Sequence, residues 1–121
     1  PERLLILITG DGSLGFSAME FDTAIRHKIP LICIVANDGG WGQIRRGQKR
    51  LYGETVGVEL GVLRYDRMVA EMGGFGVFVE KITELPGALE QAIASGLPAC
   101  INVKTDPEGA FAGMDLPWPI N

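Results

Sequence analysis

The amino-acid sequence predicts an α/β fold: a doubly wound, mainly parallel sheet flanked by helices. Three observations predict it. Leu4–Ile8 and Leu31–Ala36 are unbroken apolar runs without polar alternation. Strands covered on both faces read this way, as in a parallel sheet between helix layers. Amphipathic segments alternate with the apolar runs, which is the pattern of βαβ units joined by right-handed crossovers. A glycine-rich turn follows the first run directly, at the sheet edge where open α/β folds bind ligands.

Each element has its own signals. The first helix is expected over about Ser17 to His27, with Ala18, Phe21, Ala24 and Ile25 on one face. Ser17 and Glu20 have capping-box spacing. Arg26, His27 and Lys28 sit in the last turn, where positive charge suits the helix dipole, and Pro30 stops the helix. That place gives His27, the one histidine, a structural role. A second helix over about Arg64 to Met72 carries Tyr65, Met68, Val69 and Met72 at core spacing and ends at Gly73-Gly74. A third covers about Leu85 to Ser95, with Pro86 in its first turn and Gly96 after its end. Gly76–Val79 and Ala99–Val103 supply two more strands. The stretch Asn37 to Leu63 holds seven of the 17 glycines, a length and composition that mark a functional or partly helical connection. The tail after Asp106, with Trp118 between prolines, reads as extended chain docked on another surface.

Composition narrows the function. The 121 residues are 46% hydrophobic and 21% charged, which is ordinary globular usage and excludes disorder. The net charge of −4 argues against a nucleic-acid module, and no apolar run is long enough for a membrane helix. Cys33 and Cys100 lie in apolar runs and read as buried reduced thiols, which fits a cytoplasmic protein. The chain starts without Met and enters a strand at once, so residues 1–121 are expected to be one domain's C-terminal part, cut from a longer protein.

The chemistry concentrates in Gly10-Asp11-Gly12-Ser13-Leu14-Gly15. Glycines let the backbone approach a ligand, and N–H groups at a helix start favour a phosphate. Taken literally the turn matches G-x-G-x-x-G, and Asp38 stands near the place of a ribose-binding acid, so a dinucleotide-binding oxidoreductase domain is one reading. Asp11 weighs against it. A carboxylate between the first two glycines would repel a pyrophosphate unless a cation lay between them. Asp38 ends the second strand. If the two strands pair, their ends lie about 5 Å apart and both carboxylates can reach one metal. Gly39 and Gly40 free a backbone carbonyl to join them. Oxygen ligands of this kind, with phosphate oxygens and water, suit Mg2+.

Gly10-Asp11-Gly12 followed by Asn37-Asp38, within GDGSLGFSAMEFDTAIRHKIPLICIVANDGGWGQIRRGQ, resembles the diphosphate and Mg2+ motif of thiamine diphosphate enzymes. That motif begins Gly-Asp-Gly and closes on Asn-Asn. The text is similar to the acetolactate synthase-like and benzaldehyde lyase-like branch, particularly the form with Trp41-Gly42 after the metal loop. It matches the C-terminal, diphosphate-binding domain without that domain's opening segment, whose absence should expose sheet and helix surface.

The resemblance implies a thiamine diphosphate-binding fold and assigns roles. Asp11 and Asp38 become Mg2+ side-chain ligands, and the Gly40 carbonyl completes the protein's share. Gly12 and Ser13 hold the diphosphate through backbone N–H groups and the Ser hydroxyl, and Gly10 is a further cofactor-binding residue. Asn37 fixes the loop, and Trp41 and Gly42 lie beside the cofactor. Asp38 departs from the common Asn, adding a charge that attracts Mg2+ and repels the diphosphate. The implied reaction is decarboxylation of a 2-oxo acid and carboligation, as in acetolactate synthase. Benzaldehyde lyase, oxalyl-CoA decarboxylase and 2-hydroxyacyl-CoA lyase activities on 2-oxo acid or 2-hydroxy ketone substrates are the alternatives. The implied assembly is a homodimer or homotetramer, with an activating Glu on a partner subunit's N-terminal domain. No catalytic residue is then assigned to this chain, which is expected to be inactive alone. A non-catalytic subunit module is a further alternative.

Several residues carry two readings. Arg45, Arg46, Lys49 and Arg50 are either solvated surface or a basic cluster that clamps the loop or meets an acidic substrate. Trp41 either lines the pocket or packs beneath the loop. Met68 and Met72 read as core, and Tyr52 and Glu54 fall in a mobile-looking stretch.

Overall fold

The structure is a computed structural model that describes residues 3–109. The strands are β1 (Leu5–Gly10), β2 (Leu31–Asn37), β3 (Phe75–Val79) and β4 (Ala99–Lys104). The helices are α1 (Asp11–Leu14), α2 (Glu20–Arg26), α3 (Gly42–Tyr52), α4 (Tyr65–Glu71) and α5 (Leu85–Ser95), with a 3-10 turn at Ile82–Glu84. The four strands form one sheet in the order β1-β2-β4-β3, with every neighbouring pair parallel.

The sheet has an apolar cluster on each face. Leu14, Phe21, Tyr65 and Val69 meet Cys33, Val35 and Cys100, so α1, α2 and α4 cover one face. Ala88 and Ala92 of α5 meet Ile32, Val79, Ile101 and Val103 on the other. Helices on both faces of a parallel sheet make the doubly wound architecture the sequence predicts. Cys33 and Cys100 are register partners on β2 and β4, both buried and free. Burial raises the Cys33 thiol to about 11, and it raises Cys100 further. Neither is poised for chemistry.

Three sequence expectations change. Among the described residues nothing covers the run at Leu4–Ile8 on both faces: β1 is an edge strand paired there with β2 alone, and Leu5 and Ile8 are 57% and 72% exposed. Only β2, between two neighbours, has the burial expected of both. The capping box is absent. Residues 15–19 form successive turns, with the Glu20 N–H donating to the Ser17 carbonyl at 2.9 Å, and α2 starts at Glu20. Its N-cap, Met19, already has right-handed helical dihedrals, whereas a side-chain cap needs extended backbone there. Asn37 to Leu63 is partly helical, one of the two readings given, and the place of its helix, α3, was hidden because GQIRRGQKRLY has few apolar residues to show a period. Tyr52 and Glu54, read as mobile-looking, fall at the end of that helix and just after it, both exposed. The third helix spans Leu85–Ser95 as expected and closes on Gly96 at φ 64°, a left-handed cap that glycine adopts freely. Trp118 lies outside the described residues.

Candidate functional site

Parallel pairing of β1 with β2 places the site. Their register runs to Gly10 opposite Ala36, so the residues that follow each strand emerge side by side. Asp11 opens α1 directly after β1, and Asp38 follows β2. Together with Gly10, Gly12, Ser13, Gly40, Trp41 and Gly42 they border an open cleft of about 540 Å³. Eight of the nine residues expected at the cofactor thus converge on one cleft beyond the carboxyl ends of the strands.

Asn37 is the one that does not. It is fully buried below the cleft. Its Nδ2 donates to the Leu63 carbonyl at 2.9 Å and to Asn102 Oδ1 at 3.0 Å, while its Oδ1 accepts the Gly39 N–H at 3.2 Å. All its polar atoms are spent on holding the loop.

Asp11 is only 2% exposed, and among the described residues its Oδ2 has no hydrogen-bond partner. An unmatched buried carboxylate oxygen is costly. Burial pushes the Asp11 carboxyl above its ordinary value, and the negative charge of Asp38 adds to the rise, while amides of Gly12 and Gly40 offset part of it. Two mutually repelling carboxylates at a cleft wall are an arrangement that a cation relieves. Among the described residues no group of three His, Cys, Asp or Glu side chains converges. A cation here would depend on main-chain and ligand oxygens. The Gly39 carbonyl accepts from Leu60 and Gly61 at 2.8 and 2.9 Å, whereas no described residue donates to the Gly40 carbonyl.

Glycines make the wall thin. A Cβ on Gly12 would stand 2.8 Å from the Trp41 ring, which packs against Phe16 with ring centroids 5.4 Å apart. Trp41 therefore both borders the cleft and supports its floor, joining the two readings of that residue. Gly39 sits at φ 72°, where a side chain would be strained.

A second segment straps the loop after β2 from outside. Gly40 and Glu59 form an antiparallel bridge, and the Trp41 N–H donates to the Val58 carbonyl at 2.8 Å. Arg45 reaches Glu59 with two bonds of 2.9 and 2.7 Å. Of the basic cluster only Arg45 is buried, so it clamps the loop. Arg46, Lys49 and Arg50 are exposed, and Arg46 borders the cleft.

Sequence reasoning missed several contributors. Gln43, Ile44, Thr105 and Asp106 border the cleft, and Asn102, itself bonded to Asp66, holds Asn37 from beneath. A polar residue within the apolar run at Ala99–Val103 was the available signal for Asn102.

The family described as "Thiamine pyrophosphate enzyme, C-terminal TPP binding domain" matches residues 1–103. The chain belongs to this family. It is 46% identical over 112 residues to a probable acetolactate synthase of Mycobacterium bovis, covering 92% of this chain and 20% of that protein. It is 37% identical over 121 residues to a 2-hydroxyacyl-CoA lyase of Arabidopsis thaliana, covering 95% of this chain and 21% of the relative. Among solved structures, a thiamine diphosphate-dependent 4-hydroxybenzoylformate decarboxylase of Rhodococcus jostii superposes with a TM-score of 0.80 at 30% identity, over 88% of this chain and 20% of that one. The chain thus spans about a fifth of the length of such relatives. Among the described residues no helix is long and apolar enough to cross a membrane. Both the family and the parallel α/β fold agree with the sequence reading.

Proposed function

We propose that this TPP-binding domain anchors thiamine diphosphate through Mg2+ in an enzyme that makes or breaks a C–C bond beside a carbonyl. One observation carries the proposal: the buried Asp11 carboxylate, with an unmatched oxygen, stands at a glycine-walled cleft beside a second acid. The residues fit the group. Carboxylate oxygens of Asp11 and Asp38 and the Gly40 carbonyl would hold the cation, a hard oxygen set that Mg2+ accepts with ligand phosphates and water. Gly12 and Ser13 would meet the diphosphate through N–H groups and the Ser13 hydroxyl, and Gly10, Trp41 and Gly42 would line the cofactor's path.

When bound, the cofactor supplies the carbanion chemistry. The chain's own work is to bind and orient. The Asp11 and Asp38 charges gain a counter-charge, and Asn37 keeps Asp38 in register with Asp11. Trp41, packed on Gly12 and Phe16, supports the floor. The activating Glu is assigned to the N-terminal domain of a partner subunit, so the 121-residue chain alone is expected to show no turnover. A homodimer or homotetramer follows from a site shared between subunits. The reaction we favour is decarboxylation of a 2-oxo acid with carboligation, supported by the similarity to the mycobacterial acetolactate synthase. The similarity to 2-hydroxyacyl-CoA lyases supports C–C cleavage of a 2-hydroxy thioester as the second reading. Two buried free cysteines support a cytoplasmic setting.

Calorimetric titration of the intact protein with thiamine diphosphate, with and without Mg2+ and beside NAD, tests the assignment. Uptake should require the metal. Metal-independent binding of NAD would overturn it in favour of a dinucleotide site.

A further inference from the structure

Arg45 makes two different contacts with one guanidinium. Nε and Nη2 grip the Glu59 carboxylate at 2.9 and 2.7 Å. The remaining nitrogen, Nη1, is buried without a hydrogen-bond partner among the described residues and stands 3.6 Å from Asp38 Oδ2. The Arg45 side chain is 9% exposed and that of Asp38 17%, whereas Glu59 is 67% exposed. Water screens the Glu59 end of the ion pair, and the drier Asp38 end feels more of the arginine's charge. Two glycines enclose the contact. Any side chain at Gly40 would strike the Arg45 guanidinium, and any at Gly42 would strike the Asp38 carboxylate.

We propose that Arg45 is a positioning residue that cancels the extra charge of Asp38, so that Asp38 serves the diphosphate site as a neutral amide oxygen would. The inference rests on the reading of the site given above. An amide at position 38 would offer a similar oxygen to a cation without adding a negative charge beside the diphosphate. A carboxylate adds that charge, and Arg45 returns the balance. At 3.6 Å the pair is too long for a hydrogen bond. Oδ2 therefore keeps its lone pairs for a cation while its charge is compensated. Oδ1 is fixed separately by the Gly40 N–H at 3.2 Å. Asp38 and Arg45 are in this view a matched pair.

A double-mutant cycle in the intact protein tests this, read as thiamine diphosphate affinity by calorimetry at saturating Mg2+. Arg45→Met should weaken binding by about tenfold or more beside Asp38, and by less than about threefold beside Asp38→Asn, a coupling in the range found for contacting residues. Arg45→Lys should recover part of the loss. A tether that acted only through Glu59 would lose affinity equally in both backgrounds, and that result would overturn the proposal. Glu59→Gln covers the case in which Arg45→Met fails to fold. It leaves the guanidinium charge undivided beside Asp38 and should leave affinity unchanged or raised about two- to threefold, within the same coupling range. Weakened binding in Glu59→Gln would point to the tether and overturn the proposal. Wild-type uptake that ignores Mg2+ would sink the site assignment and this inference together. Metal-dependent uptake with an additive cycle would sink this inference alone.

Discussion

Asn37 and Asn102 lie side by side on adjacent strands, fully buried, with Asn37 Nδ2 donating to Asn102 Oδ1 over 3.0 Å. Asn102 Nδ2 then donates to the Leu63 carbonyl at 2.8 Å and to Asp66 Oδ1 at 3.1 Å. Arg64 grips the same carboxylate at 2.9 and 2.6 Å and lies over the Phe78 ring, 4.5 Å from its centroid. The loop that carries Asp38 is thus hung from a chain of buried polar groups running through β2, β4 and α4. Networks of this kind fix one geometry when fully satisfied and are costly when broken.

Asn102→Leu keeps the volume and removes the shared partner. It leaves the Asn37 amide and the Asp66 carboxylate each short of a buried bond. The expected loss of stability is about 2–4 kcal/mol, measured by urea unfolding of the intact protein. Cofactor affinity should fall as well, since Asn37 loses one of its fixings. A variant as stable as wild type would show that the network is ornamental.

Asp66 makes the fold acid-sensitive in a defined way. Burial alone would raise its carboxyl, but hydrogen bonds from Arg64 and Asn102 and the Arg64 charge outweigh this and hold it below its ordinary value. A carboxyl depressed by folding contributes stability that is present above its unfolded value and is lost as pH falls through the folded one. Arg64→Met should therefore move the acid-unfolding midpoint to higher pH, followed by circular dichroism. An unchanged midpoint would remove Asp66 from the account.

The sheet was legible in the sequence because its signals are local. Apolar runs, Gly96 after a helix and Pro86 within one depend on near neighbours alone, and they placed α5 to the residue. Asp11 and Asp38 were legible because strand pairing needs few assumptions to bring two strand ends together. The helix α3 was not legible, since its one buried residue is Arg45, whose burial depends on Glu59 across a turn. Asn102 showed as a polar residue in an apolar run, but its partners were hidden. An asparagine in a strand has no partner in sequence, and its partners here come from β2, from α4 and from the residue before Arg64. The exposed face of β1 was masked for the opposite reason: its composition asks for cover that the described chain does not supply.

Gly76 tests how closely α4 sits on β3. A Cβ there would collide with the main-chain carbonyl of Asp66, and backbone cannot swing aside as a side chain can. Gly76→Ala must push α4 off the sheet and disturb Asp66 with it. The expected destabilisation is about 3 kcal/mol or more, read as a fall in melting temperature. Gly87→Ala is the control, because its Cβ would meet nothing within 4 Å. Similar behaviour of the two variants would contradict the packing described.

Asp11 sets function against stability. Its carboxyl is raised by burial first and by Asp38 after that, so the ionised form is disfavoured in the folded, metal-free protein. For an acid raised by folding, the cost is absent below the unfolded value, grows as pH climbs towards the folded value and persists above it. At neutral pH the apo protein therefore bears that cost. Asp11→Asn removes the charge and keeps the shape. The apo protein should gain on the order of 1 kcal/mol at pH 7 and nothing at acid pH, the usual result of relieving a functional strain. Mg2+-dependent uptake of thiamine diphosphate should fall on the order of 100-fold, as when one charged partner of a buried pair is removed. The opposite signs separate this role from simple packing. A residue that only packed would lose stability and affinity together, and an Asp11→Asn protein with both reduced would mean that the cleft is not built around a cation.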